Sequence, residues 1–132
     1  MKAKLLSAWG YQGDAMNLPV ADVETAVPYY VEKMGFEVVE RSDELYRRVV
    51  IERDGIRMAL AENGGDPTQD GCAFEVDDVG ALHSEFATND LNKLGGLEEE
   101  TRDDGLKYKV FFVIAPDRLC FWFGERISAP TE

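Results

Sequence analysis

Histidine is almost missing from this 132-residue chain: there is one, His83. Cysteine is scarce too, with Cys72 and Cys120 only, and basic residues are outnumbered by acids, 14 to 26. Each shortage excludes something. One histidine and two distant cysteines make neither a zinc knuckle nor a disulfide framework. Both cysteines fall in strand-like apolar runs, where an unpaired thiol behaves as a small apolar side chain, so a reducing, cytoplasmic setting is expected. A formal charge of −12 argues against nucleic acid as a partner, because phosphates reward Lys and Arg. It favours a cationic ligand, and it also serves solubility. No apolar run approaches the roughly 20 residues of a membrane-spanning helix, so no membrane partner is expected. The opening MKAKLLSAWGYQGD is too short, and too polar after Trp9, to read as a signal peptide. No Ser/His/Asp or Cys/His nucleophile arrangement stands out, and Gly64-Gly65 and Gly95-Gly96 read as turn glycines rather than a phosphate loop.

What is present is a repeated unit. YRRVVIERDGIRMALAE, Tyr46–Glu62, reads as two strands joined at Asp54-Gly55, a pair that tolerates the positive φ a tight hairpin demands. YKVFFVIAPDRLCFWFGE, Tyr108–Glu125, repeats the design with a turn at Ala115–Arg118. Ahead of each hairpin lies a helical pattern opened by an aspartate that can cap it, Asp22 and Asp78. The first helix is expected over Val23–Met34, with Gly35 as its stop and Pro28 distorting its first turn or delaying its start. The second is expected from Val79 to about Asn89, with Val79, Leu82 and Phe86 inward. Short strands precede each helix, at Ala15–Val20 and Cys72–Val76. Others follow, at Phe36–Arg41 and near Glu99–Arg102. Lys4–Trp9 is either an arm or an extra edge strand, and residues after Arg126 read as tail. The whole is an α+β fold, one domain over 1–132 built from two βαβββ modules, about 15–62 and 71–125, with a linker at 63–70.

Alternation assigns the strand faces. Val49, Ile51, Met58, Leu60, Phe74, Phe111, Val113, Leu119, Phe121 and Phe123 are expected beneath the helices. The opposite faces carry Asn17, Tyr46, Arg48, Val50, Arg57, Ala59, Ala61, Ala73, Glu75, Tyr108, Val110, Phe112, Ile114, Cys120 and Trp122. That set is aromatic and aliphatic with a few polar groups, the usual make-up of a small-molecule cleft. It would equally fill an interface between two copies of the chain. His83, alone on the second helix, is expected on its outer or flanking surface.

The runs ADVETAVPYYVEKMGFEVVE, GCAFEVDDVGALHSEF and FFVIAPDRLCFWFGE resemble the vicinal oxygen chelate superfamily, the glyoxalase and bleomycin-resistance fold. They look most like its bleomycin-resistance proteins. The resemblance covers Ala15 to Glu125. It implies two βαβββ modules curling a mixed sheet around a cleft, and a homodimer with clefts shared between subunits. It also implies four strand positions at which catalytic members chelate a divalent metal with His, Gln or Glu. Here those positions fall on or next to Ala15, at Ala59, on or next to Gly71, and at Trp122. None of these side chains ligates a metal.

Two functional readings follow. The first is a metal-free protein, without cofactor, that sequesters a planar or amphipathic small molecule, such as a cationic antibiotic, in an aromatic cleft at a dimer interface. The expected ligand-binding residues are Trp122, Phe112, Tyr46, Tyr108, Arg48, Arg57, Ala59, Glu75, Asn17, Val110 and Cys120. Aromatic stacking would contribute roughly 0.5–1.5 kcal/mol per pair beyond area burial. Arg48 and Arg57 would meet an anionic group unless they pair with Glu75. The alternative is a metal-dependent lyase, isomerase or dioxygenase of the same fold with displaced ligands. A domain serving only protein contacts is the blander option.

Overall fold

A computed structural model of the chain describes residues 3–10, 17–91, 94–101 and 105–128. The elements run β1 (Leu5–Gly10), β2 (Leu18–Pro19), α1 (Val23–Pro28), a π-helical turn (Tyr29–Lys33), β3 (Glu37–Ser42), β4 (Arg48–Arg53) and β5 (Ile56–Ala61). After a short 3-10 turn at Pro67–Gln69 come β6 (Gly71–Val76), α2 (Val79–Thr88), β7 (Glu98–Thr101), β8 (Lys107–Ile114) and β9 (Cys120–Ser128). No helix among the described residues is long and apolar enough to cross a membrane.

The strands form two sheets, ordered β2-β5-β4-β3 and β1-β6-β9-β8-β7. Apart from β1 the two orders are the same: first strand, fourth, third, second. In both, the first strand runs parallel to the fourth and the other pairs are antiparallel. The duplication extends to the caps. Asp22 accepts N–H groups of Glu24 and Thr25, and Asp78 accepts that of Ala81. At each helix start a glutamate closing the hairpin of the same sheet accepts the next orphan donor. Glu62 takes the N–H of Val23 and Glu125 that of Val79, both at 2.9 Å. An anion there also meets the positive end of the helix dipole.

The structure corrects some expectations and decides others. Pro28 does not disturb the first turn of α1; it is its last residue, and a π-turn follows. Proline has no N–H to give the preceding turn, so the helix widens there rather than at its start. Lys4–Trp9 resolves as an edge strand, paired with β6 of the second sheet. The asparate turns fix it: Asp77 accepts the N–H of Lys4 at 2.7 Å and Asp54 that of Leu5 at 3.0 Å. The first strand is shorter than read, and Ala15 and Met16 lie outside the described residues, as does Arg102 beyond β7. The supposed tail after Arg126 is strand, with Ser128 opposite Lys107. The Asp54-Gly55 turn has positive φ at both residues, 55° and 81°.

One core cluster draws on both sheets and both helices, including Met34, Ile51, Phe74, Phe86, Phe111 and Phe123. Phe123 stacks between Phe74 and Phe111, with ring centroids 5.1 Å apart on each side. Inside this apolar layer lies one charged residue that the alternation places in the core row, Arg53, 7% exposed. Its guanidinium donates to both carboxylate oxygens of Glu85 on α2, at 2.9 and 2.8 Å. It also donates to the carbonyls of Met34 and Ala3, at 2.6 and 3.1 Å. The fork satisfies a largely buried carboxylate and two backbone carbonyls at once. Removing one partner of such a pair strands the other charge in the interior. Arg53→Ala is therefore expected to lose about 3–5 kcal/mol of unfolding free energy in urea titration, whereas Arg57→Ala, whose ion pair with Glu52 is exposed, changes it by less than about 1 kcal/mol.

Candidate ligand-binding face

The face of the second sheet turned away from the helices carries a small separate cluster: Ala73, Val110 and Trp122, with Tyr108 packed against it. Register builds it. Trp122 lies opposite Phe112 on β8 and beside Ala73 on β6, and Ala73 in turn faces Trp9 on β1. Four strands thus present one row of side chains to the same side. The indole folds along its own strand over Gly124, whose missing side chain leaves the space; a Cβ at 124 would collide with the ring. Trp9 and Tyr108 flank it, at centroid distances of 6.0 and 5.6 Å. Its Nε1 donates to Glu100 on β7 at 3.3 Å. So held, Trp122 is only 6% exposed, while its neighbours Trp9, Phe112 and Ile114 are 43%, 40% and 41% exposed. The sheet face therefore shows solvent an apolar strip with Trp122 as its floor.

The predicted residues separate by sheet. Trp122, Phe112, Tyr108, Val110, Cys120 and Glu75 lie on this second sheet. Ala59, Arg48 and Arg57 lie on the first, Ala59 fully buried. Tyr46 and Asn17 flank that sheet and are joined by a hydrogen bond from the Tyr46 hydroxyl to Asn17 Oδ1 at 3.1 Å. The arginines do not pair with Glu75. Arg57 meets Glu52 at 2.7 Å, its neighbour across the hairpin, and Arg48 lies 3.9 Å from Glu40. Glu75, half-buried beside the strip, has no hydrogen bond or ion pair among the described residues. Three cavities, of about 210, 730 and 450 Å³, lie elsewhere on the molecule; of the predicted site residues only Arg48 lines one of them.

Trp9, Glu100 and Gly124 are site residues the strand reading missed. Trp9 was concealed by the unknown pairing of β1, and Glu100 by its place in an acidic loop. His83 is not a bare surface residue: its Nε2 lies 2.8 Å from the Gly95 carbonyl and its ring meets Phe111 edge-on at 5.1 Å. It holds the approach to β7, where Gly95 lies so close to β8 that a Cβ would come within 3.0 Å of the Phe112 carbonyl.

A profile of the glyoxalase/bleomycin resistance protein/dioxygenase superfamily matches residues 13–118. The chain belongs to that superfamily. Among solved structures it is similar to a bleomycin resistance determinant encoded on the transposon Tn5, with 18% identity and a TM-score of 0.66 over 83% of this chain and 93% of that one. A bleomycin-binding protein from Streptomyces verticillus, solved with copper(II)-bleomycin, is 22% identical, with a TM-score of 0.63 over 82% and 90% of the two chains. An antibiotic-binding protein from a Streptomyces species is 17% identical, with a TM-score of 0.67 over 85% and 93%. No curated protein matches. The superfamily's chelating positions can be tested against the side chains here. Ala59 offers a methyl and Trp122 an indole N–H that only donates. The third position falls on Gly71 or next to it, beside Asp70, and the first, on or next to Ala15, lies outside the described residues. Two of the four positions thus supply no ligand atom.

Two outcomes are expected. Gly124→Ala forces the indole off its seat and lowers the melting temperature, with a change in tryptophan emission that Gly96→Ala, open on all sides, does not give. Burial pushes the Cys72 thiol up to about 12, so it stays protonated at neutral pH. Neither cysteine is in a disulfide, and Cys120 is the more exposed. A disulfide reagent should therefore titrate Cys120 in the native protein and Cys72 only on unfolding.

Proposed function

We propose that the protein is a metal-free binding protein that sequesters a flat or amphipathic organic cation, of the kind some antibiotics are, on the Trp122 face of its second sheet. The observation that carries the reading is the strip itself: an indole seated on a glycine, flanked by two aromatic rings, with exposed Phe112 and Ile114 beside it. Glu75 and Glu100 border this surface and suit a positive charge. The relatives that bind bleomycin or another antibiotic support the ligand class, and the missing donors at two of the chelating positions support binding without a metal.

A half-open sheet face makes one wall of a cleft, and a second copy of the chain supplies the other. Exposed contiguous aromatic surface of this sort marks an interaction site. The protein is thus a homodimer with ligand held between subunits. Two cysteines outside any disulfide suit a reducing compartment such as the cytoplasm.

The test is a thermal-shift and calorimetric titration with metal-free bleomycin and with planar aromatic cations. A ligand selective for the folded state raises the midpoint, by about 2.7 kcal/mol of stabilisation at a hundredfold excess over Kd. Trp122→Phe is expected to weaken binding about tenfold, and Phe112→Asp to yield monomers in sedimentation equilibrium that no longer bind. Stoichiometric Zn, Ni, Mn or Fe in the purified protein, with turnover of a thiol adduct or a catechol, would overturn this reading in favour of an enzyme of the same fold.

A further inference from the structure

On the helix side of the molecule, away from the Trp122 strip, a cavity of about 450 Å³ opens between α1 and the β8–β9 turn. Its walls are the Tyr29 ring, Ala26, Pro67 and Pro116, with Asp117 and Thr25 among its polar groups. Tyr29, on its wall, is also the first residue of the π-turn after Pro28. Local π geometry is costly and recurs at functional sites.

One feature marks the cavity as fit for a charged guest. Asp117 is fixed from one side, accepting the Tyr30 hydroxyl at 2.7 Å and the Leu119 N–H at 3.0 Å. Its partly buried carboxylate keeps further acceptor capacity. Burial raises its pKa and, with Asp117 nearby, that of Tyr29 as well. Asp22 and Arg118 complete the charged lining, which carries two carboxylates to one guanidinium.

We propose that this cavity is a second binding site, for a compact organic cation: an amine on a small aromatic or alicyclic body. The ammonium donates to Asp117, and the body lies on the Tyr29 ring between the two prolines. The site is independent of the reading of the Trp122 face.

The experiment is a titration of the 15N-labelled full chain with benzylamine, using benzyl alcohol and benzoate as neutral and anionic controls. Benzylamine is expected to shift the amides of Thr25, Tyr29 and Arg118 saturably, with those of Trp122 and Phe112 unmoved. Asp117→Asn should weaken it roughly tenfold through loss of a charge-assisted bond. Because Asp117 also anchors the turn, Thr25→Trp is the companion variant: from an exposed position on the wall it should melt as the parent does yet block the site. The proposal is overturned if those amides do not respond, if the alcohol or benzoate shifts them as strongly, or if a folded Thr25→Trp binds as the parent does.

Discussion

Arg53 is where the two halves of the molecule are tied. It ends β4 of the first sheet, its fork holds Glu85 on the helix of the second, its Nη groups also take the carbonyls of Met34 and Ala3, and its Nε donates to Asp54. One guanidinium therefore fixes the end of the first helical segment, the entry to β1 and the position of α2. The desolvation cost of burying an ion pair is large. What offsets it is that each charged atom has a well-placed partner, so replacement by one neutral residue leaves several groups orphaned. Beside it, Tyr30 reaches from the π-turn to Asp117 across the sheets and packs edge-on to Phe121 at 5.6 Å. Polar and aromatic ties of this sort set the relation between the sheets, which the apolar core alone leaves adjustable.

With the helix side of both sheets locked, the opposite sides are left to carry a different set of side chains. The second sheet does so with a large residue over a small one, Trp122 over Gly124, with β1 adding Trp9 at the edge. At two of the strand positions where the resemblance to catalytic members implies chelating side chains, this chain has a methyl, Ala59, and an indole, Trp122.

Much of this was legible in the residues. Alternation put Phe111, Phe121 and Phe123 inside and Phe112 and Trp122 on the other face, since period-two geometry leaves no third choice. Asp22, Asp78 and the Asp54-Gly55 turn were readable because their chemistry is local. What was hidden depends on distance along the chain. Nothing near Lys4–Trp9 says that β6 will be its partner. Arg53 falls in the row of Val49 and Ile51, a hint that a buried charge was coming, but its partner lies 32 residues away in another element. Pro28 announced a distortion without saying on which side of itself the helix would give. The arginines Arg48 and Arg57 were free to choose among many carboxylates, and they chose those across their own hairpins.

The central claim is that the Trp122 face of the second sheet receives the ligand. Fluorine NMR of protein labelled with 5-fluorotryptophan tests it most directly, because Trp9 and Trp122 are the only two tryptophans in the chain and both lie on that face. On adding a ligand that raises the melting temperature, both resonances are expected to shift, and Trp9 to lose its sensitivity to solvent isotope as it is covered. A ligand that stabilises the protein while leaving both resonances where they were would contradict the claim.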